Sequence, residues 1–336
     1  MTSTPRVIQS AARSRAGALL DRLWRASHPL TAVGALMLVV AGASLVGMLV
    51  DARVITGAPA WLKPFKFAIS TAIYSLTLAW VFGWLPHWRR LRRVVGWVTA
   101  IVFVLEVAII DAQAWRGTTS HFNVSTPLDV MLFLIMGGAI LLQTLASVAV
   151  AVALWRQRFT DRPLGWALRL GMTLTIVGAS TGPLMTRPTE AQLANARAGG
   201  HMTISGAHSV GGPDGGPGVP LAGWSRKHGD LHIPHFIDLH ALQALALIAI
   251  DLRRSRAAEV VCVRTLLAAA VSYALLFVLL LWAALRGQSL VAPDAAAVAP
   301  LVIWAVVTAL VLGWLGAGLR RHGDEPAASQ LGRSPP

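Results

Sequence analysis

Uninterrupted apolar stretches dominate the chain, each about 20 residues long, the length of helix that crosses a hydrocarbon layer of about 30 Å. Eight can be read: His28 to Val50, Pro64 to Leu85, Val94 to Trp115, Pro127 to Trp155, Leu164 to Thr186, Pro234 to Leu252, Val263 to Leu285 and Val298 to Leu319. The pattern predicts an all-α fold, a polytopic membrane bundle of eight transmembrane helices over 28–322. A basic segment over 1–27 precedes it, and a polar, Pro-rich tail over 323–336 has no apolar period and is expected to be disordered. The first stretch is longer than a signal-peptide core and reads as a retained anchor, without cleavage.

Composition agrees with this pattern. Of 336 residues, 55% are hydrophobic and 13% charged, against about 25% charged in soluble domains, and the mean hydropathy is +0.61. A soluble enzyme and a disordered chain are both excluded. The 29 Lys and Arg against 15 Asp and Glu give a net charge of +14, which in a soluble protein would suggest nucleic acid as partner. Here the charge has another cause, because Lys and Arg are retained on the cytoplasmic side during insertion. Alternate connections carry 19 and 9 of them, with Arg169 inside a span. The richer set includes Arg22, Arg89, Arg93, Arg156, Arg254 and Arg320, which places both termini in the cytoplasm. The expected partner is the lipid bilayer and not nucleic acid. Tryptophans such as Trp88 and Trp155 on one side, and Trp61, Trp115 and Trp224 on the other, mark the headgroup levels. The lone Cys262 allows neither an intramolecular disulfide nor a Cys-based zinc knuckle.

Polar residues inside the spans carry the candidate chemistry, since each lacks partners in lipid. Seven of the ten histidines, His121, His201, His208, His228, His232, His235 and His240, fall on the outer side. The sixth span places His235, Asp238, His240 and Gln243 at helical angles of about 0°, 300°, 140° and 80°, so it cannot face lipid there. The third span carries Glu106 near the midplane, with Gln113 on the same face and Asp111 about 140° away. Lys63 and Lys66 on the second span oppose the positive-inside bias, which an anionic partner would relieve. That partner is a lipid phosphate, or Asp111, Glu106 or an anionic substrate. The outer loop over 187–233 is dense in Gly, Pro and His and reads either as an ordered cap or as a linker. Thr126 to Asp129 reads as a helix cap, and Gly178 with Gly182 as a close-packing pair.

The segments WLKPFKF (61–67), RGTTSHFN (116–123), HSVGGPDGGPG (208–218) and HFIDLHALQ (235–243) resemble those of an uncharacterised bacterial family of multi-pass membrane proteins. The resemblance implies a bundle in the bacterial plasma membrane with its functional face outside the cytoplasm, and implies no catalytic assignment. Three classes of function remain. One is a membrane-embedded enzyme or redox protein acting on a small or lipidic substrate from the outer leaflet. It would hold zinc, iron, copper or haem through His121, His235, His240 and His208 or His232, with Glu106, Asp111, Asp238 and Lys66 as catalytic groups. The others are a proton- or ion-coupled transporter or sensor, and a structural membrane protein.

Overall fold

The computed structural model describes residues 16–255 and 257–321; the expected disorder of the tail and most of the basic N-terminal segment lie outside them. Helices account for nearly all the regular structure. In order they are α1 over 16–26, α2 (His28–Val50), α3 (Leu62–Phe82), α4 (Arg89–Trp115), α5 (Pro127–Arg156), α6 (Arg162–Ala179), α7 (Gly182–Met185), α8 (Glu190–Arg197), α9 (His232–Leu239), α10 (Ala241–Leu252), α11 (Glu259–Leu285) and α12 (Ala295–Arg321). Two small antiparallel hairpins interrupt them: β1 (Val54–Ile55) with β2 (Ala58–Pro59), and β3 (Ser209–Val210) with β4 (Gly229–Asp230).

Six helices, α2 to α5 with α11 and α12, are long and apolar enough to cross a membrane, and α9 with α10 makes a seventh if the bent pair is one span. The bend between them is 43°. The eight expected spans therefore divide into six continuous helices, one broken pair and α6. With 18 residues, α6 is about 27 Å long. Its internal cation, Arg169, folds back on the end of α5, donating to the carbonyls of Leu154 and Gln157 over the rings of Trp155, Phe159 and Trp166. The sixth span breaks at His240, where a single helix was expected.

The chain forms two compact units. The first holds α2, α3, α4 and most of α5, together with 186–207 and 214–223. Here α2, α3 and α4 pack around Val33, Met37, Ala72, Ala100 and Val107, and Ile109, Ile110 and Met136 form a second cluster. α4 is the central helix, with 56% of its apolar stretch buried. The link from α2 to α3 contains the β1–β2 hairpin, whose two-residue turn places Thr56 and Gly57 both at positive φ (47° and 77°), the backbone of a type I′ hairpin. Gly57 is required there for a second reason: a Cβ would lie 2.5 Å from the carbonyl oxygen of Gly215. Asp51 anchors the hairpin by accepting from Arg53 and from the Trp61 indole at 2.8 Å, and these bonds hold its carboxyl well below the usual range.

The second unit holds α6, α7, both hairpin strands β3 and β4, and α9 to α12. α6 packs on α9, α10 and α11, and α11 packs on α12. Only 6% of the apolar stretch of α12 is buried.

Candidate functional site

In the first unit a buried acid inside α4 meets an imidazole from the loop that follows the helix. Glu106, 1% exposed, has no hydrogen bond to either carboxylate oxygen among the described residues, and its Oε1 lies 3.4 Å from Nε2 of His121. His121 sits in the connection from α4 to α5. Its Nδ1 is 3.0 Å from Ser120 Oγ, and its ring packs on Phe67 of α3.

That connection is held from both sides. Asp129, in the first turn of α5, accepts from Arg116 (2.7 Å), Gln113 (2.9 Å) and Thr126 (2.6 Å), tying the end of α4 to the start of α5. The cap expected at Thr126 is present, since its Oγ1 accepts from the Asp129 N–H, but the carboxylate does more than cap. On the other side Phe122, in the left-handed region at φ 62°, accepts from Ser205 N–H, and Val124 N–H donates to Thr203. A loop so pinned fixes an imidazole beside a helix face, which a free loop could not do.

Lys63 lies within electrostatic reach of Glu106 and of Asp214, and its ammonium is 5.9 Å from the Phe67 ring. Lys66 instead donates to the carbonyl of Ala222 at 2.5 Å, fastening segment 214–223 to the start of α3. Asp111, five residues beyond Glu106, is half-buried on another face of α4 and takes no part in the pair. Of the sequence candidates in this unit, Glu106 and His121 come together, Lys66 becomes a tether, and Asp111 stands apart. Lys63, not among the catalytic candidates expected from the sequence, is the lysine in electrostatic reach of the acid, and Ser120 carried no signal beyond its place before the histidine.

The second unit holds the other candidates, and they do separate jobs. His235 Nδ1 lies 2.9 Å from both the Gly178 carbonyl and Thr181 Oγ1, joining α9 to the end of α6. His240 occupies the break between α9 and α10, its ring edge-on to Phe236 at 4.6 Å between centroids. His208 and His232 stack at 3.6 Å and 16°. Asp230 turns the second of these rings, accepting from its Nδ1 at 2.9 Å and from the backbone N–H groups of His232 and Ser225. Burial opposes the charge on Asp230, but these bonds outweigh it and hold the carboxyl below its ordinary value. Asp238 is fully buried beside Gly178.

Five histidines were expected as metal ligands: His121, His235, His240, His208 and His232. Among the described residues no three His, Cys, Asp or Glu side chains gather to hold a metal ion. Three of the five rings have a nitrogen turned to another partner: His121 to Ser120 and Glu106, His235 to Gly178 and Thr181, and His232 to Asp230. The expected angle of about 140° between His235 and His240 also lapses, because the helix does not continue through His240. Thr175 and Tyr273, which organise the helix break, were not foreseen; the one hint was Thr175 lying between Gly171 and Gly178 at helical spacing. No family model, curated protein or solved structure matches the chain.

Proposed function

We propose that this chain is a proton-coupled membrane transporter with the Glu106 and His121 pair as its proton-exchanging group. The observation that carries the reading is an acid 1% exposed, without a hydrogen bond to either oxygen among the described residues, whose Oε1 lies 3.4 Å from an imidazole nitrogen. A proton can reside on either group. It makes the pair a neutral acid beside a neutral ring, or a carboxylate beside an imidazolium, and both forms are neutral overall at nearly one geometry. Ser120 orients the ring by its bond to Nδ1, leaving Nε2 toward the acid. Lys63, within electrostatic reach of Glu106, offers an anion a counter-charge beside the pair. This links the proton to an anionic or lipidic solute at the same end of the unit.

The reading includes eight crossings with both termini cytoplasmic, α6 being the short crossing beside the broken pair, in a bacterial plasma membrane and in the family whose motifs the chain resembles. The 19 to 9 asymmetry of basic residues supports it, and it sets the Glu106 and His121 pair toward the outer side.

The test uses purified protein in liposomes that enclose a pH-sensitive dye, with a potassium diffusion potential, negative inside, set by valinomycin. No solute is added, so protons are expected to enter through the native protein by the uncoupled leak that a proton-exchanging pair permits, with entry abolished in Glu106→Gln and slowed in His121→Ala. Native protein no faster than empty vesicles would overturn the proposal.

A further inference from the structure

The break between α9 and α10 holds a second acid that the pair in the first unit does not use. At the break His240 N–H turns back to the Ile237 carbonyl at 3.2 Å. The helix is stitched across the bend by one side chain: Thr175 Oγ1 donates to the Leu239 carbonyl (3.4 Å) and accepts from Leu242 N–H (3.3 Å). This is how a broken helix in lipid satisfies backbone groups it has released. Thr175 reaches both because α6 presents glycines above and below it. A Cβ at Gly178 would lie 2.6 Å from Asp238 Cβ, and one at Gly171 would lie 2.7 Å from Leu242 Cα.

The backbone at the break is thus satisfied, and the side chain of Asp238 is not. It is 0% exposed, and neither oxygen makes a hydrogen bond of normal geometry, although the Gly178 backbone is within electrostatic reach. The groups around it can be named by element. α6 contributes Gly178 and Thr175, and the turn after it Thr181, with no charge near this level. α9 contributes His235, whose Nδ1 is occupied by Gly178 and Thr181. α11 contributes Tyr273, within electrostatic reach of Asp238, with its hydroxyl donating to the Ile237 carbonyl. His240 stands at the break itself against Phe236.

No Lys or Arg is among these neighbours. A bare carboxylate there would leave a buried charge uncompensated. A multivalent ion would need further ligating side chains, which the described residues do not supply. The smallest cation needs none. We propose that Asp238 is a proton-binding site at the broken helix, separate from the Glu106 and His121 pair, which takes up and releases one proton as the break closes and opens. Intramembrane acids at helix breaks are where transporters hold coupling ions. The proton moves between the Asp238 carboxyl and water, so the closed break holds the neutral acid and the opened break the carboxylate.

Infrared difference spectroscopy on the native protein in lipid, with and without carbon-13 aspartate labelling, tests this directly. At neutral pH a protonated carboxyl band that shifts on labelling is expected. It should disappear reversibly at alkaline pH, be absent in Asp238→Asn and persist in Glu106→Gln. A labelled protein with no such band at neutral pH, or with a band unchanged at every pH at which the protein stays folded, would overturn the proposal, as would its persistence in a folded Asp238→Asn. Asp111, the other aspartate with an unpartnered buried oxygen among the described residues, supplies the second variant: the band should persist in Asp111→Asn, and its loss there would overturn the assignment even if Asp238→Asn misfolds. Loss of proton flux in Glu106→Gln with the Asp238 band intact separates this site from the one in the first unit.

Discussion

Replacing Gly178 by alanine should loosen the contact between α6 and the broken helix by an amount that can be worked from the geometry. The added methyl would sit 2.6 Å from Asp238 Cβ and 2.9 Å from both the Asp238 carbonyl carbon and the Leu239 nitrogen. Carbon atoms in contact prefer about 3.5–4.0 Å, so the two backbones must part by roughly 1 Å. Two of the three atoms met belong to the main chain, so rotating a side chain relieves little of the clash. Overpacking of this kind costs about 1–3 kcal/mol. Parting the helices also stretches the Thr175 bonds, already at 3.3 and 3.4 Å, which forfeits about 0.5–1.5 kcal/mol. Against these stands the gain of about 0.5–1 kcal/mol for alanine over glycine in a helix. The balance is a loss of about 2 kcal/mol, roughly a 30-fold shift in the folding equilibrium. Gly138 is the control: it lies in α5 with no atom within 4 Å of its hypothetical Cβ, so Gly138→Ala should gain about 0.5–1 kcal/mol. Denaturant titration in mixed micelles, followed by tryptophan fluorescence, reads both. Gly178→Ala as stable as Gly138→Ala would refute the close approach of α6 to the break.

Other outcomes follow from the same structure. Asp129→Ala removes the acceptor for Arg116, Gln113 and Thr126; since Arg116 is partly exposed, its pair counts near surface values, and a loss of about 2–3 kcal/mol is expected in the same titration. Asp230 is held below its ordinary carboxyl value of 3.8 by His232 and two backbone N–H groups. Its contribution to stability is therefore complete above about pH 4 and is lost as pH falls through the lowered folded value. Acid unfolding should be shallower in Asp230→Asn, and an unchanged acid limb would count against these bonds. For topology, single cysteines in a Cys262-free background should label from outside intact cells at Arg116 and Gly216 and resist labelling at Arg93 and Arg254. A reversed pattern at any of the four would refute the eight crossings.

Much of the helix pattern could be read from hydrophobicity, because crossing a bilayer imposes a length and an apolar content that a stretch such as His28 to Val50 shows without reference to any other part of the chain. That stretch became α2 residue for residue, and Pro127 began α5 as its place after Thr126 predicts. The isolation of polar groups was legible too: Glu106 and Asp238 stood out as acids in apolar surroundings, and both are buried.

Their partners were not legible. His121 reaches Glu106, fifteen residues earlier in the chain, only because the loop around it is pinned by Asp129, eight residues on, and by Ser205, 84 residues on. The break at His240 left no glycine or inserted proline at that position, and local propensity favoured a continuous helix. It is tolerated because Thr175 and the glycine face of α6 supply, from another helix, the bonds and the room that the bend requires. Local periodicity records what a segment needs from its solvent. Which imidazole stands beside which acid, and which hydroxyl closes a broken helix, depends on contacts between segments distant in sequence, and only the tertiary structure decided them.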